Sequence, residues 1–373
     1  VPQLVAIDLP GGREFVVALQ RAWDRGDAVL PLDQRLSRAA QAAVLEQLRP
    51  SRIVRRGGDE QARDGGRPVA AGDALVVATS GSTGQAKGVV LTHAAVRASA
   101  RATSARLGVD PSAHRWLACL PLAHVGGLSV VTRALLTETP LTVLPGFDAG
   151  AVAAHAGADT FVSLVATALQ RVDAARFHTV LLGGSAAPND LAVNVVTTYG
   201  LTETGSGVVY DGIPLDGVEV RTHPTTGEIH LRGPMLLRAY RDGHDPKDGD
   251  GWLATGDVGR LDARGRLRVE GRLAEMIVTG GENVWPAPVE AALRRHPAVA
   301  EAAVAGRDDP EWGQRVVAWI VLSDASHPPA LAELRAVVAE HVAPYAAPRE
   351  AIVVDTLPRT SMGKVRRHLL PPA

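Results

Sequence analysis

The chain has 373 residues, 46% hydrophobic and 21% charged, which suits two sizeable cores and excludes wholesale disorder. Its 39 Lys and Arg against 40 Asp and Glu leave a net charge of -1, so no basic field exists to follow nucleic acid or an anionic membrane. A single cysteine, Cys119, excludes an intramolecular disulfide framework and a cysteine-built zinc site.

No stretch of about 18 residues is both apolar and free of charges and Pro/Gly pairs, so no membrane span is expected. Nothing near Val1 resembles a signal peptide, and a cytoplasmic protein is the expectation. Residues 1–70 are mixed: Leu36–Leu48 reads as an amphipathic helix and Arg55–Arg67 as a Gly- and Arg-rich loop. Ala74–Thr79 is a short apolar run entering a loop, and Thr92 caps a helix through Arg106. A strand at Trp116–Leu120, a helix at Leu128–Leu136 and a strand at Leu141–Leu144 follow. A helix from Ala149 and strands at Thr160–Val165 and Thr179–Leu182 continue the series. This alternation predicts an α/β fold with a helix-covered parallel sheet, whose ligands bind beyond the strands' carboxyl ends. After residue 210 short strands joined by Gly turns predict a small β-subdomain, and from Met276 a compact α+β module begins. The expected domains are 1–271 and 276–373, joined through 272–275.

Only three of the 39 basic residues are lysine: Lys87, Lys247 and Lys364. In a chain that otherwise uses Arg, a retained Lys suggests a need for a compact, mobile charge. Lys247 sits in a polar turn and reads as solvated. Lys87 ends the run Thr79-Ser80-Gly81-Ser82-Thr83-Gly84-Gln85-Ala86-Lys87. Glycines turn backbone N–H groups towards one point and hydroxyls add donors, which makes a phosphate nest. The spacing does not fit a Walker A loop. Further on come Gly183-Gly184-Ser185, then Thr198-Tyr199-Gly200-Leu201-Thr202-Glu203, then Thr255-Gly256-Asp257, Gly271-Arg272 and Gly280-Gly281-Glu282-Asn283. A tyrosine offers a face to a nucleobase, and a hydroxyl and a carboxylate nearby suit a phosphate and its Mg²⁺.

Taken in this order, the motifs resemble the adenylate-forming superfamily of acyl-CoA synthetases, peptide-synthetase adenylation domains and luciferases, from about Leu75 to Lys364. The resemblance implies a large N-terminal domain and a small mobile C-terminal one. It implies that Thr79, Ser80, Gly81, Ser82, Thr83, Gly84 and Lys87 hold the β- and γ-phosphates of ATP. Gly183, Gly184, Ser185, Thr198, Tyr199 and Gly200 would frame the adenosine, and Thr202 would touch the α-phosphate. Glu203 would ligate Mg²⁺, Asp257 and Arg272 would take the ribose, and Lys364 would meet the α-phosphate and acyl carboxylate. Gly280 and Gly281 would line the coenzyme A tunnel after a rotation about the hinge.

Amino-acid-activating members carry an Asp near His124 for the substrate ammonium, and none is present. The segment Leu120–Ser129 resembles that of members activating o-succinylbenzoate, an acid with a second, spectator carboxylate. Arg133 would pair with that carboxylate, His124 would sit where acyl pocket and thiol path meet, and Ser163, Val165 and Thr167 would shape the pocket. The implied reaction is ATP-dependent ligation of a carboxylic acid to CoA. The alternatives are another aryl- or fatty-acyl-CoA ligase, a domain loading a carrier protein, and a nucleotide-binding regulator without turnover. Family members are often dimers, and no patch in the sequence fixes the oligomeric state. Only thirteen residues separate Ser185 from Tyr199, where the family has a helix, a loop and a strand.

Overall fold

Leu4–Ile7 is a strand in which every residue is fully buried, and it pairs in parallel with Ala28–Pro31 and Arg52–Val54. Strands covered on both faces read as unbroken apolar runs, which explains the composition LVAI and AVLP. The computed structural model describes residues 1–80, 86–184, 191–324, 328–359 and 365–372. It divides into two compact units, Val1–Val220 with Leu231–Ala254 and Ala263–Leu267, and Arg221–His230 with Thr255–Asp262 and Arg268 onwards. The second unit thus takes two segments that precede residue 271.

The first unit holds two seven-stranded sheets. In spatial order the first sheet runs Ala239–Tyr240, Ala86–Thr92, Asp73–Ser80, Ala28–Pro31, Leu4–Ile7, Arg52–Val54, Glu60–Ala62. The second runs Ile213–Pro214, Val209–Tyr210, Val195–Tyr199, Thr179–Gly183, Thr160–Val165, Arg115–Ala118, Leu141–Val143. The five strands from Val195–Tyr199 to Leu141–Val143 pair in parallel, as the alternating pattern predicts. Antiparallel pairs lie at the edges and include the hairpin of Asp73–Ser80 with Ala86–Thr92. The expected helices appear at Arg38–Leu48 and His93–Leu107, and the Thr92 side chain caps the latter by accepting from Ala95 N at 3.1 Å.

Two expectations need correction. The region read as mixed contains two core strands and the helix Arg13–Asp24, whose buried residues are Phe15, Ala18, Leu19 and Ala22. Lys247 is not solvated: its Nζ donates to Leu237 O at 2.7 Å and Arg238 O at 3.1 Å and pairs with Asp245 at 2.7 Å. Those carbonyls belong to the segment that leads into Ala239–Tyr240, so the lysine fixes an edge strand. The crossover between Thr179–Gly183 and Val195–Tyr199 spans residues 184–194 only. Described residues 191–194 hold no helix; Asn194 closes the turn by donating to the carbonyls of Ala174 and Phe177.

The second unit is built around a five-stranded sheet of Glu282–Val284, Ile277–Thr279, Gly313–Leu322, Val299–Asp309 and Glu350–Val353. Helices Pro286–Leu293 and Leu331–His341 bury Val289, Leu293, Leu334 and Val338 against it. Arg367 ties its last residues down through Glu290 at 2.7 Å, Glu275 at 2.9 Å and Val304 O at 2.9 Å.

Candidate active site

Carboxyl ends of neighbouring parallel strands gather the expected residues of the first unit. The register places Gly183 beside Val165 and Leu182 beside Thr197, so Ser163, Val165, Gly183, Gly184, Thr198, Tyr199 and Gly200 come from one edge of the second sheet. Thr198 Oγ1 donates to Leu182 O at 3.2 Å. Thr167 lies exposed on the short helix Ala166–Leu169. Gly200 is required by close approach, because a Cβ there would meet Ser206 O at 2.2 Å. Its return loop carries Thr202 and Glu203 on a 3₁₀ turn. Cys119 Sγ faces Ser163 O, and burial pushes its thiol up to about 12, so it remains a neutral packing group.

On the first sheet Thr79 stands opposite Lys87 in the hairpin, and its hydroxyl donates to Lys87 O at 3.3 Å. Ser80 ends the first strand of that hairpin. Gly81, Ser82, Thr83 and Gly84 lie outside the described residues, as do Ser185 and Lys364. The Lys87 ammonium sits 5.2 Å from the centre of the Tyr240 ring. The Tyr240 hydroxyl donates to Glu203 Oε1 at 2.9 Å. Burial first, then the Glu203 carboxylate, push the phenol far above its ordinary range, so it stays a donor. Sequence reading missed Tyr240. Its signal is a strand position next to the phosphate hairpin, which only the pairing of Ala239 with Val90 and Tyr240 with Val89 reveals.

His124 precedes the helix Val125–Leu136, whose first turn packs on the chain that leads into it. A Cβ on Gly127 would meet Leu120 O at 2.4 Å and Pro121 O at 2.6 Å, so only glycine permits this turn. His124 Nε2 lies 3.1 Å from Asp33 Oδ2 and 2.8 Å from Arg35 Nη2. Asp33 and Arg35 were also missed. They follow the strand Ala28–Pro31, and charged residues just past an apolar parallel strand are the available cue.

Arg133 projects from the same helix into the protein and is 2% exposed. Its guanidinium lies 4.7 Å from the centre of the Trp116 ring, and Nε and Nη1 have no hydrogen-bond partner among the described residues. Burial pushes it below the ordinary arginine range, opposed by Tyr210. It lines a narrow cavity with Ser99, Ser129, Thr132, Gly205 and Met235.

The second unit holds its own part of the expected set. Asp257, 6% exposed, pairs with Arg272 Nε at 2.7 Å, and its backbone N donates to Thr255 Oγ1 at 3.1 Å. Gly280 and Gly281 form the two-residue turn of the hairpin Ile277–Thr279 and Glu282–Val284, both with positive φ. Gly280 N donates to Trp312 O at 2.9 Å, and a Cβ at Gly280 would strike the Trp312 ring at 2.7 Å.

A carboxylate held by one phenol beside a lysine is not a cage for a free cation, and no cluster of three or more metal-ligating groups occurs among the described residues. It does fit Mg²⁺ that arrives with phosphates, because Mg²⁺ is commonly held by one or two carboxylates plus substrate oxygens. No helix among the described residues is long and apolar enough to cross a membrane.

The chain matches known proteins along both of its regions. The family model described as AMP-binding enzyme matches residues 2–241, and that of the AMP-binding enzyme C-terminal domain matches 288–364. A probable 2-succinylbenzoate–CoA ligase from Mycobacterium tuberculosis is 43% identical over 323 residues, covering 80% of this chain and 83% of that protein. A 2-succinylbenzoate–CoA ligase from Bacillus cereus is 35% identical over 336 residues, covering 79% and 69%. Among solved structures, o-succinylbenzoate CoA synthetase from Bacillus subtilis in complex with its acyl-adenylate intermediate superposes with a TM-score of 0.86 at 29% identity, covering 100% of this chain and 88% of that one. The same enzyme with ATP and magnesium gives 0.83 at 29%, covering 99% and 89%. With its N-terminal and C-terminal regions both matched, the chain belongs to the AMP-binding enzyme family.

Proposed function

We propose that this protein is an AMP-forming acid–thiol ligase that converts o-succinylbenzoate to its CoA thioester. The observation that carries the reading is the meeting of Lys87, Tyr240 and Glu203 beside the expected phosphate loop. The 2-succinylbenzoate–CoA ligases at 43% and 35% identity support the choice of acid.

In the first half-reaction a substrate carboxylate oxygen attacks the α-phosphorus of ATP, and the bond to pyrophosphate breaks. Both reactants are anions, so positioning and charge neutralisation supply most of the catalysis. Lys87 offers a compact cation at the end of the phosphate hairpin that Thr79 closes through Lys87 O, and Thr202 offers a hydroxyl donor. Mg²⁺, when bound with ATP, neutralises phosphate charge, and Glu203 is the residue that would hold it. Asp257, oriented by Arg272, accepts from ribose hydroxyls. Gly183, Gly184 and Tyr199 border the adenine. Lys364 adds the positive charge that meets the α-phosphate and the acyl carboxylate. In the second half-reaction the CoA thiol loses its proton and attacks the acyl carbonyl, and AMP leaves. Residues 272–275, one 3₁₀ turn after Arg272, are the hinge about which 276–373 would turn to bring Gly280 and Gly281 to the pantetheine path.

Arg133 takes the spectator carboxylate. A buried guanidinium with two unpaired nitrogens carries an uncompensated desolvation cost, and an anionic ligand would remove it. The test is exchange of labelled pyrophosphate into ATP with o-succinylbenzoate, benzoates and fatty acids offered singly. The expected result is exchange supported best by o-succinylbenzoate, followed by thioester formation on adding CoA. Exchange with none of these acids, while ATP binds, overturns the assignment.

A further inference from the structure

Two charged groups reach the ring of His124, and both come from one short segment. Arg35 grips Asp33 through Nε to Oδ1 at 2.9 Å, Nη2 to Oδ2 at 2.7 Å and its backbone N to Oδ1 at 3.0 Å. The same Oδ2 and Nη2 converge on His124 Nε2, at 3.1 Å and 2.8 Å. Charges acting on the ring are those of Asp33 and Arg35. Its own turn, Leu120–Gly126, carries no other charged residue.

A single ring nitrogen cannot serve both neighbours in one state. If Nε2 bears a proton it donates to Asp33, and the Arg35 N–H then has no lone pair to meet there. If Nε2 is bare it accepts from Arg35, and the ring proton of the neutral imidazole sits on Nδ1. We propose that Asp33 and Arg35 are positioning residues for His124, fixing its ring and selecting which state Nε2 adopts. The proposal rests on the reading of His124 as part of the acyl and thiol side of the site.

The direction of the selection follows from the surroundings. Burial pushes the imidazole below its ordinary value of 6.5, Asp33 raises it and Arg35 lowers it. Asp33 is itself held as a carboxylate: burial would raise it, but hydrogen bonds and charge from Arg35 bring it down to about 2. At neutral pH the ring is therefore uncharged, and Arg35 favours the tautomer with its proton on Nδ1 while Asp33 favours the one with its proton on Nε2. In acid the ring takes a second proton from solvent, and Nε2–H, already 3.1 Å from Asp33 Oδ2, donates to it. The pair thus acts as a two-way clamp that keeps the ring in place while its charge changes.

The test is the titration of His124 in full-length protein with isotope-labelled histidine, its NMR signal assigned by its loss in His124→Asn. Removing the cation in Arg35→Met leaves Asp33 facing the ring and should raise the His124 midpoint by about one pH unit. Removing the anion in Asp33→Asn should lower it. Arg35→Lys, which keeps the charge but not the fork, should stay near wild type. The acid limb of thioester formation should move with the NMR midpoint in each variant. A purely structural role would instead lower thermal stability and leave the midpoint in place, and that result overturns the proposal. So does a shift of the same sign in both Arg35→Met and Asp33→Asn. If Asp33→Asn does not fold, the shift in Arg35→Met decides alone. If the midpoints move as stated while His124→Asn retains full activity, the clamp stands and the role given to His124 fails.

Discussion

Arg133 and Arg241 are both buried cations of the first unit, and they are satisfied in opposite ways. Arg241, 8% exposed, donates to three backbone carbonyls: Leu48 at 3.2 Å, Pro68 at 2.8 Å, and Arg67. It works as a clamp joining the end of the helix Arg38–Leu48 to the loop before Asp73–Ser80. Arg133 has an aromatic face and two idle nitrogens. One charge is consumed by the fold, and the other keeps two nitrogens without a hydrogen-bond partner among the described residues. A buried charge is thus informative only through what surrounds it.

Arg241→Met should show the larger effect. It leaves three buried carbonyls without their donor, and the expected loss is about 3 kcal/mol in urea unfolding. Exchange activity per folded molecule should stay near wild type. Arg133→Met should do the reverse. It removes an unpaired buried charge at the cost of one cation–π contact, so stability should hold within about 1 kcal/mol of wild type or rise. The KM for o-succinylbenzoate in pyrophosphate exchange should rise roughly 30-fold, equivalent to about 2 kcal/mol of a charge-assisted pair. A destabilised Arg133→Met with unchanged KM would erase the distinction between the two arginines.

Asp33, paired with Arg35, is an anion that the fold does satisfy. The folded pKa of Asp33, about 2, lies below its ordinary value of 3.8. Its stabilisation is therefore complete above about pH 4 and is lost as pH falls through about 2. The difference amounts to about 2 kcal/mol and should appear as an acid slope in unfolding free energy that Asp33→Asn flattens.

Motifs written within a few residues were legible in the sequence. The loop between Thr79 and Lys87 and the Thr202–Glu203 turn are local, and Asp257 and Arg272 were named through the family resemblance, though their ion pair was not. Contacts made across long separations were not. Arg35 and His124 are 89 positions apart, and nothing in either segment's periodicity indicates that they meet. Tyr240 reaches Glu203 only because its strand pairs with Ala86–Thr92. The helix Arg13–Asp24 is a different kind of omission. Phe15, Ala18, Leu19 and Ala22 are spaced as one helical face, so the signal was present in the sequence. For Lys247 the polar turn was visible but the two carbonyls that it anchors were not.

The smallest predicted effect concerns the phosphate side, where the comparison with Arg133 becomes a comparison of partners. The Tyr240 hydroxyl donates a hydrogen bond to Glu203, the carboxylate proposed to meet Mg²⁺ with ATP. If the phenol holds Glu203 in the geometry that the metal needs, Tyr240→Phe weakens Mg²⁺-dependent nucleotide binding while keeping the ring under Lys87. One hydrogen bond to a charged group is worth about 1.5 kcal/mol, or roughly tenfold in the dissociation constant of Mg-ATP. Binding of ATP without Mg²⁺ should be nearly unchanged, because the lysine and ring stay in place. Calorimetric titrations with and without Mg²⁺ separate these outcomes. An equal loss in both would mean that the ring, not the hydroxyl, supports the site, and Glu203 would then rest on its 3₁₀ turn alone.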